Sequence, residues 1–187
     1  MNSPSFLNIK KMHKTFVISD TWFNRNLIDT DVSVSDINNA IISAWNCVVD
    51  DSDDVYVLGG FGISDLYNIV VRLKGRIHFL DNYFNVDEHK SIEDLNENVQ
   101  KSGDINIINR IVFEHKQIMI LNEFDIILSY FPLNNWSGKE TGTICFHGLD
   151  NSIDIQNHIV SAMSSYWSYS PVCIDDLKES FKLSEEI

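Results

Sequence analysis

Along the first eighty positions, apolar and polar residues alternate in blocks that read as strand, helix, strand, helix, strand. Residues 15–19 (TFVIS) form a short β-branched run that stops at Asp20, as a buried strand does. Behind Ser33 or Ser35, either of which can cap a helix, Ile37, Ile41, Ala44, Trp45 and Val48 recur at helical spacing. The acidic cluster Asp50, Asp51, Asp53 and Asp54 ends that helix, and residues 55–58 (VYVL) read as a second strand. Gly59, Gly60 and Gly62 then mark a loop, and Ser64 caps a helix reaching about Leu73. Gly75 closes it and residues 77–80 (IHFL) make a third strand. This alternation predicts parallel pairing through right-handed crossovers.

Residues 82–104 are polar and charged without clear periodicity, which predicts a long irregular excursion with at most one helical turn. Strand signals return at 105–113, 118–121 and 125–130, joined by short polar turns that suggest antiparallel hairpins. A further strand fits 143–147, and a helix capped near Asp175 fits 172–181. With no repeat, low-complexity tract or linker, residues 1–187 read as one α/β domain.

Composition narrows the partner classes. The 187 residues carry 14 Lys+Arg against 27 Asp+Glu, a net charge of −13, yet 44% are hydrophobic and 11% aromatic, so the chain folds. Such an acidic surface repels phosphate backbones and anionic lipid, which argues against direct nucleic-acid or membrane binding. No apolar run reaches the roughly 18–20 residues a bilayer span needs, and the N-terminal stretch lacks a signal-peptide core, so a cytoplasmic protein is expected. Three well-separated cysteines, Cys47, Cys145 and Cys173, predict buried free thiols without a disulfide framework or a zinc site. The bias to Ile, Asn and Asp, with three Ala, fits an AT-rich genome.

The loops that leave the carboxyl ends of strands carry the functional groups of open α/β sheets. In order these loops read ISDTWFNRN, LGGFG, LDNYF, LSYFPL and FHGLDN. The series resembles the calcineurin-like metallophosphoesterase family, whose loops run DxH, GD, GNHD, a histidine before a proline, and GHxH. The resemblance continues through NNAIISAWN, RLKGRI and SYSPVCIDDL and covers about residues 15–182. It implies a four-layer α/β/β/α sandwich with mixed sheets. It also implies two divalent metals about 3.5–4 Å apart that hydrolyse phosphoesters with a metal-bound hydroxide.

Matched position by position, the chain departs from that pattern at most ligands. Asp20 and Asn82 match an aspartate and an asparagine of the family. Trp22 stands at the histidine of DxH, Gly60 at the bridging aspartate, Tyr83 at the histidine of GNHD, and Phe84 at its last aspartate. Tyr130 replaces the histidine ahead of Pro132. His147 and Gly148 match, but Leu149 and Asn151 occupy the two ligand histidines of the last motif. A glycine offers no bridging carboxylate, indole has no lone pair in the ring plane, and phenols are poor substitutes for imidazole. Asp20 and Asn82 alone make a weak, unselective site.

The expectation is therefore a pseudoenzyme: no catalytic residue, no metal and no cofactor. Its function would be to bind a protein partner, the acidic surface favouring a basic one; Trp22, Tyr83, Phe84 and Tyr130 are candidates either to anchor that interface or to close the former cleft and stabilise the core. A phage or mobile-element protein that blocks a host factor fits this reading, and the oligomeric state is left open. The alternative is a phosphoesterase rebuilt around Mn²⁺ or another divalent ion, for which His78, Asp81, Asp87 and His89 are the nearby ligands. A nucleotide or small-phosphate binder would rely on Arg25, Arg72, Lys74 and Arg76. The residues 166–169 (YWSY) read as core packing.

Overall fold

The structure, a computed structural model, describes residues 13–26, 31–83, 85–149, 153–154 and 157–185. The first sheet is built from β1 (Thr15–Ile18), β2 (Asp54–Val57), β3 (Arg76–Phe79), β4 (Ile111–Phe113) and β9 (Val172–Cys173). Its order is β4-β3-β2-β1-β9, with the first four strands parallel and β9 antiparallel to β1. The second sheet, β5 (Ile118–Leu121), β6 (Ile126–Ser129), β7 (Ile144–His147) and β8 (Ile159–Ser161), runs in that order. Here only β5 and β6 pair antiparallel; β6, β7 and β8 are parallel. The protein is thus α/β with two mixed sheets.

Period-two alternation assigns each side chain of the central strands to one of two cores. Phe16, Ile18, Val55, Val57, Ile77 and Phe79 face the helices, α1 (Val34–Val48), α2 (Tyr67–Val70), α3 (Val86–Ser102) and α4 (Ile105–Arg110). Val17, Tyr56 and Leu58 face the other way and meet Ile126, Leu128, Phe146 and Val160 between the sheets. Helix α5 (Ile174–Glu185) adds Leu177 to that inter-sheet core. On the outer face of the second sheet, Ile127 and Cys145 are covered by Trp136 and Leu133 from a loop, so among the described residues no helical layer lies there. No described helix is long and apolar enough to cross a membrane.

Several expectations from the pattern are corrected. Residues 82–104 are not an irregular excursion: most of them form α3, capped by Asn85, whose side chain accepts from the Glu88 N–H, and closed by Gly103 at φ +65°. The buried stripe Ile92, Leu95 and Val99 is narrow and set among charges, which hid the period. The strand expected at 105–113 divides into α4, capped by Asp104, and β4; β4 then joins β3 in parallel instead of forming a hairpin. The helix expected up to Leu73 is a single turn. Cys145 and Cys173 are buried, but Cys47 is exposed. Of the 166–169 cluster only Trp167 packs inward, donating Nε1–H to the Ser161 carbonyl; Tyr166 and Tyr169 are 51% and 42% exposed.

Candidate functional site

The carboxyl ends of β1 and β2 lead into two loops that are zipped together. Backbone N–H groups of Asp20, Trp22 and Phe23 donate to the carbonyls of Gly59, Gly60 and Phe61, each at 2.9 Å. The Thr21 hydroxyl also donates to Phe61 O, at 2.8 Å. Such a ladder continues strand pairing into the region where a cleft would open. Asp20 and Trp22 sit at φ +54° and +50°, left-handed backbone that non-glycine residues seldom adopt.

Asp20 is 6% exposed, and its Oδ1 accepts a hydrogen bond from the Tyr130 hydroxyl at 3.3 Å. Burial pushes its carboxyl up to about 7; the Tyr130 hydrogen bond and the Arg25 charge oppose that, and the Glu88 charge adds to it. Burial likewise raises the Tyr130 phenol, with Asp20 contributing. Opposite Asp20 stands Gly60 at φ +65°, where an added Cβ would lie 1.8 Å from Asp20 Oδ1. Tyr130 also presses on Gly59, whose Cβ would come within 2.7 Å of the ring.

Helix α3 supplies the residue that sequence reasoning missed. Glu88, 1% exposed, accepts the Phe61 N–H on Oε1 at 3.0 Å and so fastens α3 to the glycine loop. Three residues earlier Asn85 caps the same helix; an Asn followed by Glu at that spacing is the signal that could have revealed both. A void lined by Gly59, Asn82, Tyr83 and Glu88, among others, measures about 10 Å³, room for one water molecule.

The remaining sequence-predicted residues scatter. Asn82 is buried and its amide donates to Gln117 O at 2.8 Å, a backbone-satisfying role. Tyr83 is half-buried, its phenol raised by burial and by a hydrogen bond to Asp81. Trp22 is half-buried beneath Arg25, whose guanidinium carbon lies 4.7 Å from the ring centroid. Tyr130, expected as an interface anchor, is 3% exposed and fills the interior. Leu149 is 39% exposed, and Phe131 beside Tyr130 is 58% exposed. Phe84 and Asn151 lie outside the described residues.

The four residues weighed for a rebuilt metal site do not converge. His78 turns toward Asp54 and Glu114 and stacks on Tyr56, whereas Asp81 and His89 line a cavity against α3. Among the described residues no group of three or more His, Cys, Asp and Glu side chains is placed to hold a metal ion. Nor is there room for a carboxylate at position 60, because Asp20, whose Oδ1 is held by the Tyr130 hydroxyl, occupies the space its side chain would need.

No family model matches the chain, and no curated protein matches it in sequence. Among solved structures it is similar to the crystal structure of a protein of unknown function, AQ665 from Aquifex aeolicus, at 18% identity and a TM-score of 0.59. That alignment covers 90% of this chain and 99% of the other. The likeness shows a shared fold and no activity.

Proposed function

We propose that the chain is a catalytically silent relative of the calcineurin-like metallophosphoesterases that acts in the cytoplasm by binding a protein partner with a basic surface. In this reading the two packed sheets are the central layers of a four-layer sandwich whose fourth layer is reduced to the loop that carries Leu133 and Trp136. The observation that carries it is the closed contact of Gly60, Asp20 and Tyr130. Two dications need a bridging carboxylate to offset their repulsion, and position 60 has room for no side chain at all. A net charge of −13 would steer a basic partner, and three free cysteines suit a reducing compartment. The composition agrees with a phage or mobile-element protein that blocks a host factor.

One observation favours the rebuilt phosphoesterase: Glu88 brings a second buried carboxylate close enough to raise the Asp20 carboxyl. Its Oε1 is already engaged by the Phe61 N–H, and position 60 has no room for a carboxylate, so the silent reading is preferred.

Affinity capture from cells of the encoding organism tests the proposal. Wild-type protein should retain a basic protein that the variant Phe131→Ser/Leu149→Ser, altered at two exposed apolar residues, loses. Equal retention by both, or retention of nothing, contradicts it.

A further inference from the structure

Where β3 and β4 end against α3 there is a cavity of about 290 Å³ that the closed loops above do not use. Its apolar floor is Phe79 and Phe113, whose rings stack at 5.6 Å with 17° between their planes, together with Ile92. One face of α3 supplies a wall, because His89, Ile92, Glu93 and Asn96 recur at helical spacing. Tyr83 leans on His89 with 4.5 Å between ring centroids. Asp81 and Glu93 are the carboxylates of the lining, Asp81 sharing a hydrogen bond with the Tyr83 hydroxyl and Glu93 Oε1 lying 3.7 Å from His89 Nε2; His115 completes the lining, and among the described residues no Lys or Arg does.

Aromatic rings beside two carboxylates favour a cation, and the carboxylates repel a phosphate, which disfavours a nucleotide. A guanidinium suits the mixture better than an ammonium: it is planar, weakly hydrated, stacks on rings and forks onto carboxylates. We propose that this cavity receives an arginine side chain of the protein partner, its plane against the aromatic wall and its N–H donors toward Asp81 and Glu93. The partner-binding reading supplies the source of the arginine; the cavity and its chemistry stand apart from it.

The test is an NMR titration of isotopically labelled protein with four probes: acetyl-Gly-Arg-Gly-amide, its Lys and Gln counterparts, and AMP. The arginine peptide should shift the amides of residues 79–83, 89–96 and 113–115 saturably, bind at least threefold tighter than the lysine peptide, and leave the glutamine peptide without effect. Glu93→Gln, on the exposed face of α3, should weaken it at least threefold, and the charge-matched Glu179→Gln on α5 less than 1.5-fold. Shifts scattered over the acidic surface, equal weakening by both variants, or tighter binding of AMP would overturn the proposal. Any of these leaves the silent-scaffold reading standing, whereas metal-dependent turnover would sink that reading and leave this titration unaffected.

Discussion

Gly60 and Asp20 form a matched pair: a Cβ on residue 60 would stand 1.8 Å from Asp20 Oδ1 and 2.8 Å from its Cα. Gly60→Asp should therefore cost stability and bring no metal binding. Even Gly60→Ala meets both the steric overlap and a φ of +65°. A loss of at least about 2 kcal/mol in urea unfolding is expected for Gly60→Ala. A loss below about 0.5 kcal/mol would mean that the space is open.

Asp20 makes stability depend on pH in an unusual direction. Its carboxyl is raised from 3.8 to about 7, chiefly by burial, so between those values the folded state binds more protons than the unfolded one. Its effect is nil below the unfolded value, and stability falls as pH rises from there to about 7. Asp20→Asn should be neutral at pH 4 and stabilising at pH 8, by on the order of 2–4 kcal/mol. Thermal unfolding across that range checks it; a variant destabilised at pH 8 would count against a carboxylate raised by burial.

His78 is clamped between Glu114 Oε1, 2.6 Å from Nδ1, and Asp54 Oδ1, 3.0 Å from Nε2, while His13 Nε2 lies 2.9 Å from the other Asp54 oxygen. A neutral imidazole has one N–H, so both contacts are hydrogen bonds only when two protons lie along the Glu114–His78–Asp54 line. Burial pushes the Asp54 carboxyl up, but the His78 hydrogen bond and charge, with His13 and Arg76, hold it below the usual 3.8. That contribution is present above the ordinary carboxylate value and is lost as pH falls through the depressed one. His78→Gln should cost about 3 kcal/mol at pH 6 and less at pH 3, read from urea midpoints. Equal losses at both pH values would show that the clamp is packing without charge.

Glu88→Ala would leave the Phe61 N–H buried without its acceptor, at a cost of about 1–3 kcal/mol. Hydrogen exchange should show the amides of 59–62 opening faster, while those of β5 and β6 stay unchanged. Unchanged exchange at 59–62 would remove Glu88 from the account of how the loop is held.

The sequence made β1, β2 and β3 legible because their runs of branched apolar residues are buried on both faces. Strand partners were less legible: 105–113 is rich in isoleucine, yet the Asp104 cap and the buried Ile107 turn its first half into α4. Helix α3 was lost because its core stripe is three residues wide in a charged run, and Glu88 was lost with it. That Asp20, Gly60 and Tyr130 lie just beyond the carboxyl ends of β1, β2 and β6 can be read from the strand runs, but nothing in their spacing says that Asp20 touches both of the others.

Equilibrium dialysis of purified protein against Mn²⁺, followed by hydrolysis assays on a phosphomonoester and a phosphodiester, decides whether the scaffold is silent. Far less than one bound ion per chain and no turnover above the metal-only blank are expected. Stoichiometric Mn²⁺ with hydrolysis that Asp20→Ala abolishes would contradict the silent reading.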